Sequence, residues 1–301
     1  MTDTITVLNW NLEKGINLEA GARWVREQRP DLFFQQEVQP DQLARLSELL
    51  EMDGHIAVPR PGSSNDNAIF VRPGGPLVCT EEYPQAWAPW HAPANIAVRL
   101  RGADGALSPR QISAVSTHCC YWSPELRLTE ARWCSTLAKP GWLAVIFGDW
   151  NSYRVGTDIC WDDYTDHAFV ANRTYEHDGR RHTDVGPDRE LLAAGYVEMA
   201  RHAAEHLGQS EALAPSSGYR DHPGRPSGPR HTIDRGYLSA ELAPSLTGFT
   251  VCDTPQLRSL SDHLPLRATF DLARLREVVH ATPAMYQPND VRTDYEGATR
   301  A

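Results

Sequence analysis

Residues 143–151 read LAVIFGDWN, five apolar positions followed by Gly148, Asp149, Trp150 and Asn151. A short unbroken apolar run closed by glycine reads as a β-strand, and the polar groups after it stand at the strand tip or in the next turn. Working outward, the same grammar recurs. Residues 5–10 (ITVLNW) lead to Asn11 and Glu13, residues 32–35 (LFFQ) to Glu37, and residues 112–117 (ISAVST) to His118. Residues 233–238 (IDRGYL) contain Asp234, and residues 264–270 (LPLRATF) follow Asp262 and His263. Residues 68–71 (AIFV) and 96–100 (IAVRL) complete the strands. Helical periodicity fills the intervals 18–28, 42–50, 124–137, 187–207 and 272–280.

The 301 residues permit one or two domains by length,. We expect a catalytic unit over residues 1–270, and over 271–301 a C-terminal helix and tail. Residues 210–230, dense in Pro, Gly and Ser, read as a long surface loop. The composition, 41% apolar and 23% charged, is that of an ordinary globular protein,. A net charge of −10 disfavours a protein that coats duplexes through summed positive field,. Residues 1–10 carry no basic leader and no apolar run reaches membrane-spanning length, so neither secretion nor insertion is expected. The six cysteines form no CxxC pair and read as reduced thiols of a cytoplasmic enzyme, with a strained Cys119–Cys120 disulfide as the minor alternative,.

The strand-tip residues are carboxylates, carboxamides and imidazoles. Carboxylate and carboxamide oxygens are the hard ligands Mg²⁺ takes while it keeps several waters, and one or two of them with a phosphate oxygen make a site. No glycine-rich phosphate loop and no kinase signature is present, so the pattern points to phosphoester cleavage by water.

The ordered set W-N, Q-E, a strand-end His, G-D-x-N, I-D-R and S-D-H, spread from about residue 5 to 270, resembles the endonuclease/exonuclease/phosphatase family, which includes DNase I-like nucleases. The resemblance implies an α/β, four-layer αββα sandwich, two mixed β-sheets packed face to face with helices outside. It implies a metal site at Asn11 and Glu37, with Asp262 behind it and Glu13 as a neighbour. It implies catalysis by Asp149 and Asn151, which position the attacking water, by His263 oriented by Asp234, and by His118 as a donor to phosphate or leaving oxygen. The implied cofactor is Mg²⁺ or Mn²⁺. The substrate is a phosphoester, a short or single-stranded nucleic acid or a nucleotide-like diester, with no membrane and no obligate protein partner indicated. A phosphomonoesterase and a non-catalytic binding module are the alternatives. The family's G-D-F-N appears here with Trp150, which we place facing the core.

Substrate contacts are expected from Trp122, Arg127 and Arg235, with Tyr121, Arg132, Arg154, Arg220 and Arg230 as further candidates. Bland readings stand beside these. Trp122 reads equally as core packing, Arg235 as half of an ion pair with Asp234, His118 as a buried histidine satisfied by a carbonyl, and Glu13 as a first-turn acid. His202-Ala203-Ala204-Glu205-His206 matches the H-x-x-E-H pattern of zinc peptidases but brings no third ligand, and we read it as a helix face.

Overall fold

The computed structural model describes residues 4–59, 65–86, 88–228 and 231–283. The chain runs β1 (Thr4–Asn11), α1 (Leu18–Gln28), β2 (Leu32–Val38), α2 (Leu43–Leu50), β3 (Asp53–Ile56), β4 (Asp66–Val71), β5 (Leu77–Glu82) and β6 (Ala94–Leu100). It continues through β7 (Ile112–His118), α3 (Pro124–Ser135), β8 (Leu143–Asp149), α4 (His167–Arg173), β9 (Thr174–His177), β10 (Arg180–Thr183), α5 (Gly186–Ala193) and β11 (Tyr196–Glu198). The last elements are α6 (Met199–His206), β12 (Asp234–Ser239), β13 (Leu246–Val251), α7 (Pro255–Leu260), β14 (Leu266–Asp271) and α8 (Leu272–His280).

One six-stranded sheet has the order β13-β14-β1-β2-β4-β3, the other β11-β12-β8-β7-β6-β5, and β9–β10 form a separate hairpin. Each large sheet holds one parallel pair at its centre, β1–β2 and β7–β8, among antiparallel neighbours. The expected sandwich of two mixed sheets is present. Period-two alternation decides what faces what. In β8, Leu143, Val145 and Phe147 point between the sheets, where Phe147 meets Phe34 with ring centroids 5.1 Å apart. Ala144 and Ile146 point outward, packing with Ala131 and Cys134 of α3 and Leu191 of α5. Trp150 is fully enclosed in that outer core, as expected for the residue that replaces phenylalanine.

Along the space between the sheets the lining changes from apolar to polar. Beyond Phe34 and Phe147, Gln36 Nε2 donates to Asn9 Oδ1 at 2.9 Å and, across the gap, to Ser116 Oγ at 3.0 Å. One step further the same alternation delivers Asn11, His118, Asp149 and Asp234. The site is the continuation of the core by other residue types.

Three expectations about elements change. The helix read over 187–207 is two helices with β11 between them, because Gly195 takes φ +87°, a conformation that ends α5, and the next residues pair with β12,. The 210–230 stretch opens with a 3₁₀ turn at Ser210–Leu213 before it becomes irregular. β3, β5 and β13 hold no unbroken apolar run of four residues and are strands through their pairing with β4, β6 and β14. α8 buries Leu272, Leu275 and Val279 in the main core, while the tail beyond residue 283 lies outside the described residues. All six cysteines are free thiols, so Cys119 and Cys120 form no disulfide. No described helix is long and apolar enough to cross a membrane.

Candidate active site

The site is assembled from the carboxyl ends of the two parallel pairs, where strand ends of an α/β sheet leave a crevice. His118 pairs in register with Asp149, and Asp149 with Asp234, so three adjacent strands present these side chains in one row. Gly148 permits this spacing, since a Cβ there would lie 2.1 Å from the Thr117 carbonyl oxygen,. From the facing sheet come Asn11 and Glu37.

Glu37 needs a special backbone. Gln36 already points between the sheets, so strict alternation would turn Glu37 outward. Between Gln35 and Val38 the pairing with β4 slips by one residue, and Glu37 adopts φ 59°. That β-bulge re-aims the carboxylate inward. Asn151 is held similarly, at φ 50°, by its own N–H donating to Asp149 Oδ1 at 2.9 Å and its Nδ2 donating to Cys119 O at 2.9 Å. Asparagine tolerates this left-handed conformation better than most residues. Glu37 and Asn151 are thus two non-glycine residues held in sparsely populated backbone wells within one crevice,.

The groups converge. Asn11 Nδ2 lies 3.3 Å from both Glu37 Oε1 and Asp149 Oδ2. His118 Nε2 lies 3.5 Å from Asp149 Oδ2 and 4.0 Å from Glu37 Oε1. His263 directs Nδ1 at Asp234, 2.8 Å from Oδ2, and Nε2 toward Asp149 Oδ2 at 3.7 Å. Asp234 also accepts from Ser216 Oγ at 2.6 Å. The His263 backbone is pinned by Trp10 Nε1, which donates to its carbonyl at 2.9 Å, and by Ser261 Oγ, which accepts from its N–H. Glu37 is the most open of the group, with 17% of its side chain exposed against 3% for Asp149.

Charge is shared across the cluster. Burial disfavours charge on His263, but Asp234, Asp149 and Asp262 outweigh it and hold the imidazole well above its ordinary range,. Burial and the like charge of Asp149 push the Asp234 carboxyl up, against the pull of His263. Burial acts on Asp149 in the same sense, yet His263, His118 and Arg173 hold its carboxyl below the usual range. The opposed charges of His263 and Asp149 thus favour each other's ionised form,.

Other sequence expectations are resolved differently. Asp262 is half-buried and acts on His263 through its field. Glu13 donates its N–H to Asn11 Oδ1 at 3.1 Å and pairs with Arg220. Arg127 and Arg235 do not line the cleft. Arg127 is fully buried, spent on Asp184 and on the Cys120 and Asn172 carbonyls, and Arg235 is spent on Tyr237 and Ser152. Both guanidinium groups are fully enclosed and cannot reach a ligand in the cleft, so the substrate-contact expectation is withdrawn for both. Arg235 does not pair with Asp234 either. Arg154 is likewise buried against Glu198, and Arg132 pairs with Glu190 on the surface. Arg230 lies outside the described residues. The His202 and His206 rings lie 4.7 Å apart between centroids, tilted by 48°, and no third ligand joins them among the described residues.

Sequence reasoning missed Ser216, Ser261, Arg173 and His91, whose ring stacks on His118 at 5.2 Å. Serines in a Pro- and Gly-rich loop carry no signal of their own, and Ser261 was visible only as a neighbour in S-D-H.

No family model matches the chain, and no curated protein matches it. Solved structures do. A Bacteroides thetaiotaomicron endonuclease/exonuclease/phosphatase family protein aligns at TM-score 0.57 and 17% identity over 90% of this chain and 96% of its own. D. rerio TDP2 complexed with a single-strand DNA product aligns at 0.57 and 15%, over 89% and 98%. A Bacteroides thetaiotaomicron mannosyl-6-phosphatase aligns at 0.54 and 17%, over 88% and 98%. The chain has their fold. At these identities the likeness extends to the arrangement of the two sheets, and the chemistry is argued from the site.

Proposed function

We propose that this chain is a metal-dependent phosphoester hydrolase, a phosphodiesterase or nuclease in which water attacks phosphorus in line. The carrying observation is the meeting of Asn11, Glu37, His118, Asp149, Asp234 and His263 in one crevice at the strand ends. The endonuclease/exonuclease/phosphatase fold supports the reading.

The donor set fits a hard divalent ion, Mg²⁺ or Mn²⁺. Glu37 and Asp149 present carboxylate oxygens around one carboxamide, and among the described residues neither forms an ion pair with a lysine or arginine. Asp149, Asp234 and His263 also bring ligand atoms within 4.8 Å of one another. There a cation would have to displace the His263 and Ser216 bonds to Asp234, so Glu37, with Asn11 and Asp149 beside it, is the better seat. When bound, the cation neutralises the non-bridging oxygens and so lets an anionic phosphoester meet a nucleophile.

The chain's own groups do the rest. Asp149 accepts a hydrogen bond from the attacking water, and Asn151 fixes the Asp149 carboxylate through its backbone N–H. His263, kept in one orientation by Asp234, donates from Nε2 to a phosphoryl oxygen and stabilises the charge that develops there. His118 donates to phosphate or to the leaving oxygen. The substrate class we assign is short or single-stranded nucleic acid or a nucleotide-like diester, and free thiols at all six cysteines suit a reducing cytoplasm,.

Hydrolysis of bis(p-nitrophenyl) phosphate tests the reading. Turnover is expected to require Mg²⁺ or Mn²⁺ and to vanish in His263→Ala and Asp149→Asn. Turnover that survives EDTA, or a protein that releases phosphate only from terminal monoesters, contradicts it.

A further inference from the structure

Directly after His118 the chain leaves the sheet in a tightly pinned turn. Cys119 N donates to the Asp149 carbonyl at 2.9 Å, Cys120 N donates to the buried Glu130 carboxylate at 2.8 Å, and Arg127 Nη1 donates to Cys120 O at 2.8 Å. Ser123 then caps α3 by accepting from Leu126 N. Between these two fixed points Tyr121 and Trp122 are pushed outward, 53% and 44% exposed. Trp90, from the segment before β6, stands edge-on to both, at 5.9 Å and 6.0 Å between centroids. Trp90 also meets His91 at 5.0 Å, and His91 stacks on His118. An unbroken line of rings therefore runs from a proposed catalytic imidazole to two large exposed aromatic faces on a rigid pedestal.

We infer that Trp90, Tyr121 and Trp122 form a stacking subsite for a nucleobase adjoining the scissile phosphate, an inference that rests on the hydrolase reading and narrows its substrate to nucleic acid or nucleotide. Exposed, preorganised aromatic faces take a flat π-ring at little ordering cost, and stacking accepts any base. The nearest polar side chains of the turn are engaged with each other, Ser123 Oγ donating to Glu125 at 2.8 Å, so the turn presents mainly the two aromatic faces. Arg127 and Glu130 act here as positioning residues, which explains a buried ion and a buried acid beside a surface turn.

The test compares a short oligothymidylate with the same strand bearing tetrahydrofuran residues in place of nucleosides, in hydrolysis and in fluorescence anisotropy of labelled strands under EDTA. Wild type is expected to favour the base-bearing strand about thirty-fold in both. The Tyr121→Ala/Trp122→Ala double variant is expected to lose that preference, and Trp122→Phe to keep it. Equal treatment of the two strands by wild type, or a preference that survives in the double variant, overturns the subsite. If wild type cleaves neither strand but binds the base-bearing one preferentially, the subsite stands and the hydrolase reading falls.

Discussion

Two histidines of this protein sit against a carboxylate at opposite places in the sandwich, and they are wired differently. At the strand ends, His263 gives Nδ1 to Asp234 and keeps Nε2 toward Asp149, with all three side chains at most one-tenth exposed. At the far edge, where β3 and β5 line a cavity of about 510 Å³, His55 Nδ1 meets Glu82 at 2.6 Å. The Cys79 thiol approaches the same nitrogen, at 4.0 Å. Glu82 is 60% exposed, so its field is screened, and burial together with Glu82 pushes the Cys79 thiol up,. A histidine is useful to chemistry when its two nitrogens serve different partners and its carboxylate is dry. His263 meets both conditions and His55 neither, although sequence composition does not distinguish them.

The sharpest way to break this contrast is by substitution at both places. His263→Ala should lower kcat/KM at least about a thousand-fold, within the range attributed to positioned acid–base groups, while His55→Ala and Cys79→Ser leave it within about twofold. Comparable losses at the two sites would remove the distinction.

Asp234→Asn sharpens the contrast, with an expected loss near a hundred-fold, comparable to other removals of an orienting partner. The sign of its pH effect also follows. Asp234 helps raise the His263 pKa, so removing that charge lowers it. If the imidazolium is the donor, activity falls as pH rises through this pKa, and the alkaline limb of the profile moves to lower pH in the variant. An unmoved limb contradicts the dyad.

Glu130 offers a third case, a buried acid with no imidazole. Burial, opposed by the Cys120 N–H and Arg127, pushes its carboxyl up to about 7. A carboxyl whose folded pKa is raised destabilises the fold when it ionises. Its contribution is complete below the unfolded value near 4.5 and lost as pH rises through 7,. Glu130→Gln keeps an acceptor for Cys120 N and should raise stability at mildly alkaline pH by about 2 kcal/mol, with little change below the unfolded value near 4.5,. Denaturant melts at the two pH values check this.

The smallest effect belongs to Ser216→Ala. Losing one hydrogen bond to Asp234 should cost about 1 kcal/mol, seen as a several-fold fall in kcat with KM nearly unchanged.

Much of this architecture could be read from residues alone because the core and the site share a grammar. Apolar runs ended by Asn11, His118 and Asp149 are strands whose next inward position happens to be polar, so fold and candidate site were legible together. What could not be read depended on geometry that alternation does not encode. Glu37 reaches the site only through a bulge, and Arg127, a surface candidate by type, is buried because its helix packs over the Cys120 turn. The 187–207 helix failed at Gly195, where β-pairing with β12 outweighed a helical pattern. Ser216 entered the site through loop closure over more than a dozen residues before Asp234.

The most direct measurement is calorimetric titration with Mn²⁺ of wild type, Glu37→Gln and the His55→Ala/Glu82→Gln double variant. The account predicts that Glu37→Gln loses binding at the strand-end crevice while the edge variant matches wild type. Undiminished affinity in Glu37→Gln would contradict the claim that this crevice is built around a divalent cation.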